Sequence, residues 1–143
     1  MEIVKGKHIG VYGIVIKNNQ IALITKSRGG YKGKLDLPGG GMEFGESASE
    51  TLSRELMEEA GIVVNKADLF EIGTKTIKWQ MDENTIEDLY HIGILYNVID
   101  FSNELKQEGD GIDSLGANWY PIDSLEKDNL TPFARIAIEK YNK

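Results

Sequence analysis

Two β-branched runs, "HIGVYGIVIK" at residues 8–17 and "QIALITK" at 20–26, flank Asn18-Asn19. That pattern predicts two antiparallel strands around a tight turn. "RGGYKGKLDLPGGG", residues 28–41, is glycine-rich and aperiodic, which predicts a loop with a brief strand at Leu35 to Leu37. Ser47 and Glu50 have capping-box spacing, and the helix formers after them run to Ala60 before Gly61, so a helix is predicted there. "LFEIGTKTIKWQ" (69–80) and "LYHIGILYNVI" (89–99) predict a long hairpin joined by a polar segment. Residues 102–117 are acidic and glycine-bearing, a predicted mobile loop ahead of a short strand at "NWYPI" (118–122). Thr131 as N-cap and Pro132 at the first helical position open a second helix, with Phe133, Ile136, Ala137 and Tyr141 on its apolar side. Strands with two helices predict an α+β fold, a mixed β-sheet layered between α-helices (α/β/α).

Length narrows this to one domain over residues 1–143, with 41% hydrophobic residues for its core. Sixteen basic against 23 acidic residues leave a net charge of -7, which disfavours nucleic-acid polymers and anionic membrane surfaces as partners. A phosphorylated substrate would need local positive charge. There is no cysteine and there are two well-separated histidines, so any metal would be a hard cation held by oxygens. The first 17 residues lack a signal-peptide pattern, and no apolar run approaches the roughly 20 residues of a membrane span. A cytoplasmic protein is the expectation.

The stretch "RELMEEAG" (54–61) crowds Glu55, Glu58 and Glu59 onto one helix. At about 100° per residue, Glu58 lies roughly 60° to one side of Glu55 and Glu59 roughly 40° to the other. Leu52, Leu56 and Ala60 occupy the adjoining sector, which puts the carboxylates at the edge of the core. Like charges at this spacing repel by about 0.2 to 0.5 kcal/mol per pair on an exposed helix. One reading is a solvated acidic face with a Glu50–Arg54 i,i+4 pair. The other is a set of carboxylates that hold Mg²⁺ or Mn²⁺.

The glycine loop beside the helix favours the second reading. Gly40, five residues, Glu46, seven residues and then Arg54-Glu55-Leu56-Met57-Glu58-Glu59-Ala60-Gly61-Ile62 form a pattern that resembles the complete Nudix box. A chance match is on the order of one in ten million. The resemblance extends through "KLDLPGG" and "WYPI" to the C-terminal helix, and is strongest toward the MutT-like branch. It implies a metal-dependent hydrolase that splits a nucleoside diphosphate linked to another moiety. It also implies Gly40, Glu55, Glu58 and Glu59 as ligands of Mg²⁺ or Mn²⁺, Arg54 as the residue that orients the glutamates, and Glu46 as a supporting carboxylate. Arg54 and Glu46 are equally readable as helix-stabilising ions. The general base is Glu55 itself or a loop carboxylate, Glu108 ahead of Asp110 and Asp113. The cluster Asp82, Glu83, Glu87 and Asp88 reads better as a hairpin tip.

Lys26 and Arg28, with Gly39 and Gly40, are the expected substrate-binding positions; Lys32 and Lys34 are equally readable as ordinary loop lysines. Tyr31, Phe44, Trp79 and Phe133 are candidates for stacking a base. The likeness to nucleotide-sanitising members favours nucleoside triphosphates, including oxidised or noncanonical ones, as the small-molecule substrate. ADP-ribose or another sugar nucleotide is the alternative, and a non-catalytic nucleotide sensor a third. A homodimer is compatible with the resemblance, since small family members are often dimers.

Overall fold

A computed structural model describes residues 1–106, 108 and 114–141. Asn18 and Asn19 adopt left-handed backbone (φ 53° and 62°), the conformation a two-residue hairpin turn requires and asparagine tolerates. The strands it joins are shorter than the sequence suggests. β1 (Glu2–Ile14) ends before Val15, and only β2 (Ile16–Lys17) pairs with β3 (Gln20–Lys26). Val15 is the hinge, its carbonyl accepting from the Ala22 amide at 2.9 Å.

β4 (Leu35–Asp36) is the brief strand expected in the glycine-rich segment, and β5 (Gly39–Gly41) is a second that was expected to be loop. α1 (Ala48–Ala60) carries the full capping box: Ser47 Oγ accepts from the Glu50 amide and Glu50 accepts from the Ser47 amide. The hairpin strands β6 (Val63–Gln80) and β7 (Thr85–Ser102) are longer than predicted because Val63 to Asp68 pair with Asn97 to Ser102 and Thr85 to Asp88 pair along β1. β8 (Ser114–Pro121) begins four residues before the predicted "NWYPI" strand, paired along β3. The predicted mobile loop, with Asp110 and Asp113, falls largely outside the described residues. α2 (Pro132–Tyr141) starts where Thr131 Oγ1 accepts from the Ala134 amide at 3.3 Å.

The strands form two four-stranded sheets. One runs β5-β1-β7-β6, with β1 and β7 parallel and the other pairs antiparallel. In the other, β3 lies between β8 on one side and β2 and β4 on the other. Val11 to Val15 are buried without a break. Val11 and Val15 pack with Leu52 and Leu56 of α1, while Tyr12 and Ile14 pack with Phe133 and Ala137 of α2. A strand covered on both faces is what a layered α/β/α arrangement demands.

A row of glycines crosses the first sheet in register: Gly41, Gly10, Gly93 and Gly73. A Cβ on Gly93 would stand 2.6 Å from the Phe133 ring and one on Gly10 2.3 Å from the Tyr12 hydroxyl. The row therefore lets these rings lie directly on the sheet. No helix among the described residues is long and apolar enough to cross a membrane.

Because the capping box satisfies two amides at the start of α1, Ser47→Ala should cost about 1 kcal/mol. Urea unfolding of the two proteins checks this through a lower midpoint at unchanged slope.

Candidate active site

The side chain of Glu55 is 13% exposed and that of Glu58 54%, while Glu59 as a whole is 3% exposed. The helical wheel separates them in this way because Glu59 turns into the stripe of Leu52 and Leu56, and Glu58 turns out of it. Burial raises the Glu55 pKa above its ordinary value, against the opposing pull of Arg54.

Arg54 supplies the countercharge, though not to Glu50 as an i,i+4 pair. Glu50 is committed to the cap, and the Arg54 guanidinium grips Glu46 with two bonds, Nε to Oε2 at 2.7 Å and Nη2 to Oε1 at 2.9 Å. It also donates to Glu55 at 2.9 Å, to Glu58 at 3.3 Å and to the Gly41 carbonyl at 3.0 Å. Glu46 accepts in addition from Thr51 Oγ1 at 2.8 Å and the Glu43 amide at 2.9 Å. The Arg54 bonds come first among the causes that hold its pKa down at about 2. Arg54 and Glu46 thus tie the loop before α1 to the helix that bears the glutamates.

A cavity of about 370 Å³ opens over this face, lined by Glu55, Glu59, Gly39, Gly40 and Gly41 and also by Lys7, His8, Lys26 and Arg28. A Cβ on Gly40 would sit 2.6 Å from Glu55 Cδ. Only a glycine lets the backbone approach that carboxylate so closely. Among the described residues no three His, Asp or Glu side chains already converge as a cage for a metal. Mg²⁺ keeps waters and substrate oxygens in most of its positions, so two carboxylates beside an accessible backbone suit it; Glu58, expected as a third ligand, does not line the cavity and is instead exposed beside Arg54. Arg54 and Glu46 do not line this cavity, and neither does Glu108, which is exposed two residues beyond Lys106.

A second cavity of about 480 Å³ shares Lys26, Arg28, His8, Tyr12 and Leu89 with the first, and adds Tyr31, Asp36, Trp79 and His91. Of the four aromatic candidates, Tyr31 and Trp79 line it, Phe133 is core at 2% exposed, and Phe44 is fully exposed and lines neither cavity. Lys32 and Lys34 line neither; Lys34 donates to the Asp128 carbonyl at 2.9 Å. Glu87 reaches the rim of the first cavity and accepts from Trp79 Nε1 at 2.9 Å, so it is more than a hairpin tip.

A family model described as NUDIX domain matches residues 6–141. The chain belongs to the Nudix family. It is 30% identical over 119 residues to the ADP-ribose pyrophosphatase of Methanocaldococcus jannaschii, covering 83% of this chain and 64% of that one. It is 25% identical over 130 residues to the 8-oxo-dGTP diphosphatase of Escherichia coli, covering 89% of each. The MutT NUDIX hydrolase of Burkholderia pseudomallei superposes with a TM-score of 0.74 at 24% identity, over 93% of this chain and 96% of that one. This Nudix chain spans about two thirds of the archaeal relative's length, 64%, and 30% of a Caenorhabditis elegans relative's.

Sequence reasoning missed Asp36, His8 and His91, which local patterning presents as ordinary strand residues. His91 packs edge-on to Phe133 at 4.7 Å between ring centroids, and its Nε2 lies 2.8 Å from the Tyr12 hydroxyl. Burial, then the charges of His8 and Lys26, lower its pKa from 6.5 to about 4. The unfolded chain therefore takes up this proton first on acidification. The stability carried by neutral His91 is complete above about pH 6.5 and is lost as the pH falls toward about 4. His91→Gln should flatten that part of the profile, checked by urea midpoints of both proteins between pH 4 and 7.

Proposed function

We propose that this Nudix chain is a metal-dependent pyrophosphohydrolase of nucleoside triphosphates, oxidised or noncanonical ones included, releasing the monophosphate and pyrophosphate. The observation that carries the reading is the adjoining pair of cavities. One places Lys7, Lys26 and Arg28 on the same hollow as Glu55, Glu59 and Glu87, and the other is lined by Tyr31, Trp79 and His91. In a chain of net charge -7, three permanent cations around one hollow suit a polyphosphate. The aromatic hollow beside it has the dimensions of a small-ligand site and faces that can stack one base.

In this reading Glu55 and Glu59, with the backbone at Gly40, would hold Mg²⁺ or Mn²⁺, and Glu58, exposed one turn along from Arg54, would join them from outside the cavity. When bound, such an ion supplies positive charge against the diphosphate and a more acidic water. Lys26 and Arg28 hold phosphate oxygens through charge-assisted bonds. Arg54, fixed on Glu46, keeps the Glu55 carboxylate turned to the cavity. Water attacks phosphorus, a new P–O bond forms, the anhydride P–O bond breaks, and the proton passes to Glu55; Glu108, exposed on its loop, is the alternative base.

Identity to the archaeal ADP-ribose pyrophosphatase favours a second reading, hydrolysis of a sugar nucleotide. A panel of triphosphates, sugar nucleotides and dinucleotides assayed by kcat/KM with Mg²⁺ and Mn²⁺ separates the two. Triphosphates should lead. ADP-ribose turnover well above every triphosphate overturns the first reading, and no turnover of any compound favours a nucleotide sensor. Glu58→Gln and Glu59→Gln should each lower metal-dependent kcat by about 10²-fold or more with the fold intact by circular dichroism. Unchanged rates in both would sink the metal site.

A further inference from the structure

β6 is the outermost strand of the first sheet, and among the described residues its far edge pairs with nothing. A row of unpaired backbone amides and carbonyls is a template for another strand, and bulges and edge lysines are the usual protections against it. Register shifts do interrupt the first half of β6, between Val64 and Lys66, Lys66 and Ala67, and Leu69 and Glu71. From Glu71 to Gln80 the pairing with β7 runs without a shift. That stretch of edge is therefore regular, and it opens on apolar surface: Ile72 is 59% exposed.

Side chains alternate along a strand, so Glu71, Gly73 and Lys75 share one face of β6. It is the face that α2 covers, since a Cβ on Gly73 would come 3.0 Å from Ile136 Cδ1. Glu71 and Lys75 are exposed, and neither has an ion-pair partner among the described residues. A lysine alone on an edge repels a copy of itself. A lysine and a glutamate at equal distances on either side of one residue do the reverse. When two antiparallel copies of the strand meet with Gly73 opposite Gly73, Glu71 of each stands directly opposite Lys75 of the other. Residues so placed have Cβ atoms about 5 Å apart, close enough for an ion pair. Like charges are then about 13 Å apart along the strands, beyond the screening length of ~8 Å at physiological salt. On the other face, the same register sets Ile72 opposite Thr74 and diagonal to Ile72 of the other copy, within reach of a long side chain.

We propose that a second copy of this chain adds to the β6 edge, antiparallel about a two-fold axis at Gly73, held in register by two Glu71–Lys75 ion pairs. The two four-stranded sheets then become one continuous sheet. Strand addition of this kind draws its affinity from main-chain hydrogen bonds and its specificity from the side chains beside them. The occupant is a second copy, and not the strand of another protein, because the charge pattern of the edge is its own complement. A two-fold interface demands that property of its surface. None of Glu71, Gly73 and Lys75 lines either cavity, so the pairing stands apart from the hydrolase reading.

Sedimentation velocity of the full chain over the micromolar range should show a monomer–dimer equilibrium. Lys75→Glu and Glu71→Lys should each raise the dimer dissociation constant by about 10-fold or more, since each sets like charges face to face twice. Both positions are exposed, and circular dichroism should show the fold unchanged. The variant carrying both substitutions should dimerise again. An equimolar mixture of the two single variants should also form a dimer, because each supplies the charge the other lacks. General damage to the strand would not be repaired by mixing. A chain that stays monomeric throughout that range overturns the inference, as does a dimer that neither reversal weakens or a mixture that stays monomeric.

Discussion

The burial of Val11 to Val15 on both faces is the constraint on which the rest of the molecule depends. Consecutive side chains on a strand point to opposite sides, so this one stretch must meet two helices at once. Its odd-numbered residues reach Leu52 and Leu56 on α1 and its even-numbered ones reach Phe133 and Ala137 on α2. Register then does the rest. Antiparallel pairing of Gly10 to Tyr12 with Gly39 to Gly41 brings the glycine loop to the edge of α1, and parallel pairing of His8 with His91 sets the two imidazoles 5.1 Å apart between the cavities. A one-residue slip would exchange the faces and separate the loop from the glutamates.

Charge is arranged around that scaffold by desolvation and pairing. Glu59 enters the buried stripe and Glu55 lies beside it, where burial raises the Glu55 pKa; Arg54 meanwhile offsets part of the repulsion among the carboxylates. Arg54 can do this for Glu55 and Glu58 together only because its other edge is fixed on Glu46, which Thr51 and the Glu43 amide hold in turn. The same hollow carries Lys7, Lys26 and Arg28, and Lys26 lines both cavities. It is therefore placed between the cavity of Glu55 and Glu59 and the buried Asp36.

Local chemistry made several features legible in advance. Ser47 and Glu50 announced the start of α1, Asn18-Asn19 the hairpin, and Thr131-Pro132 the start of α2, because each acts within a few residues of itself. The glutamate cluster was legible at the box for the same reason, since helical spacing sets Glu55 and Glu59 on one side of the helix; that Glu55 and Glu59 line a cavity and Glu58 does not was not legible there. What went wrong involved partners far apart in sequence. The Glu50–Arg54 pair of the acidic-face alternative does not form, because Glu50 caps the helix and Glu46 offers Arg54 a fork-to-fork partner. Gly39 to Gly41 carry no strand propensity, yet β1 imposes a strand on them.

By itself, the sequence determined the glutamate helix, its cap, the turn at Asn18-Asn19 and the family, since these depend on residue type and short spacing. Only the tertiary structure decided the break of β1 at Val15 and the parallel pairing of β1 with β7. It alone brought Asp36, Tyr31 and His91 together on one cavity. Asp36 and Thr131 are 95 positions apart and Tyr12 and His91 are 79, distances at which no local propensity acts. Such contacts form only after loop closure, when burial makes an unpaired carboxylate or hydroxyl too costly to leave without a partner.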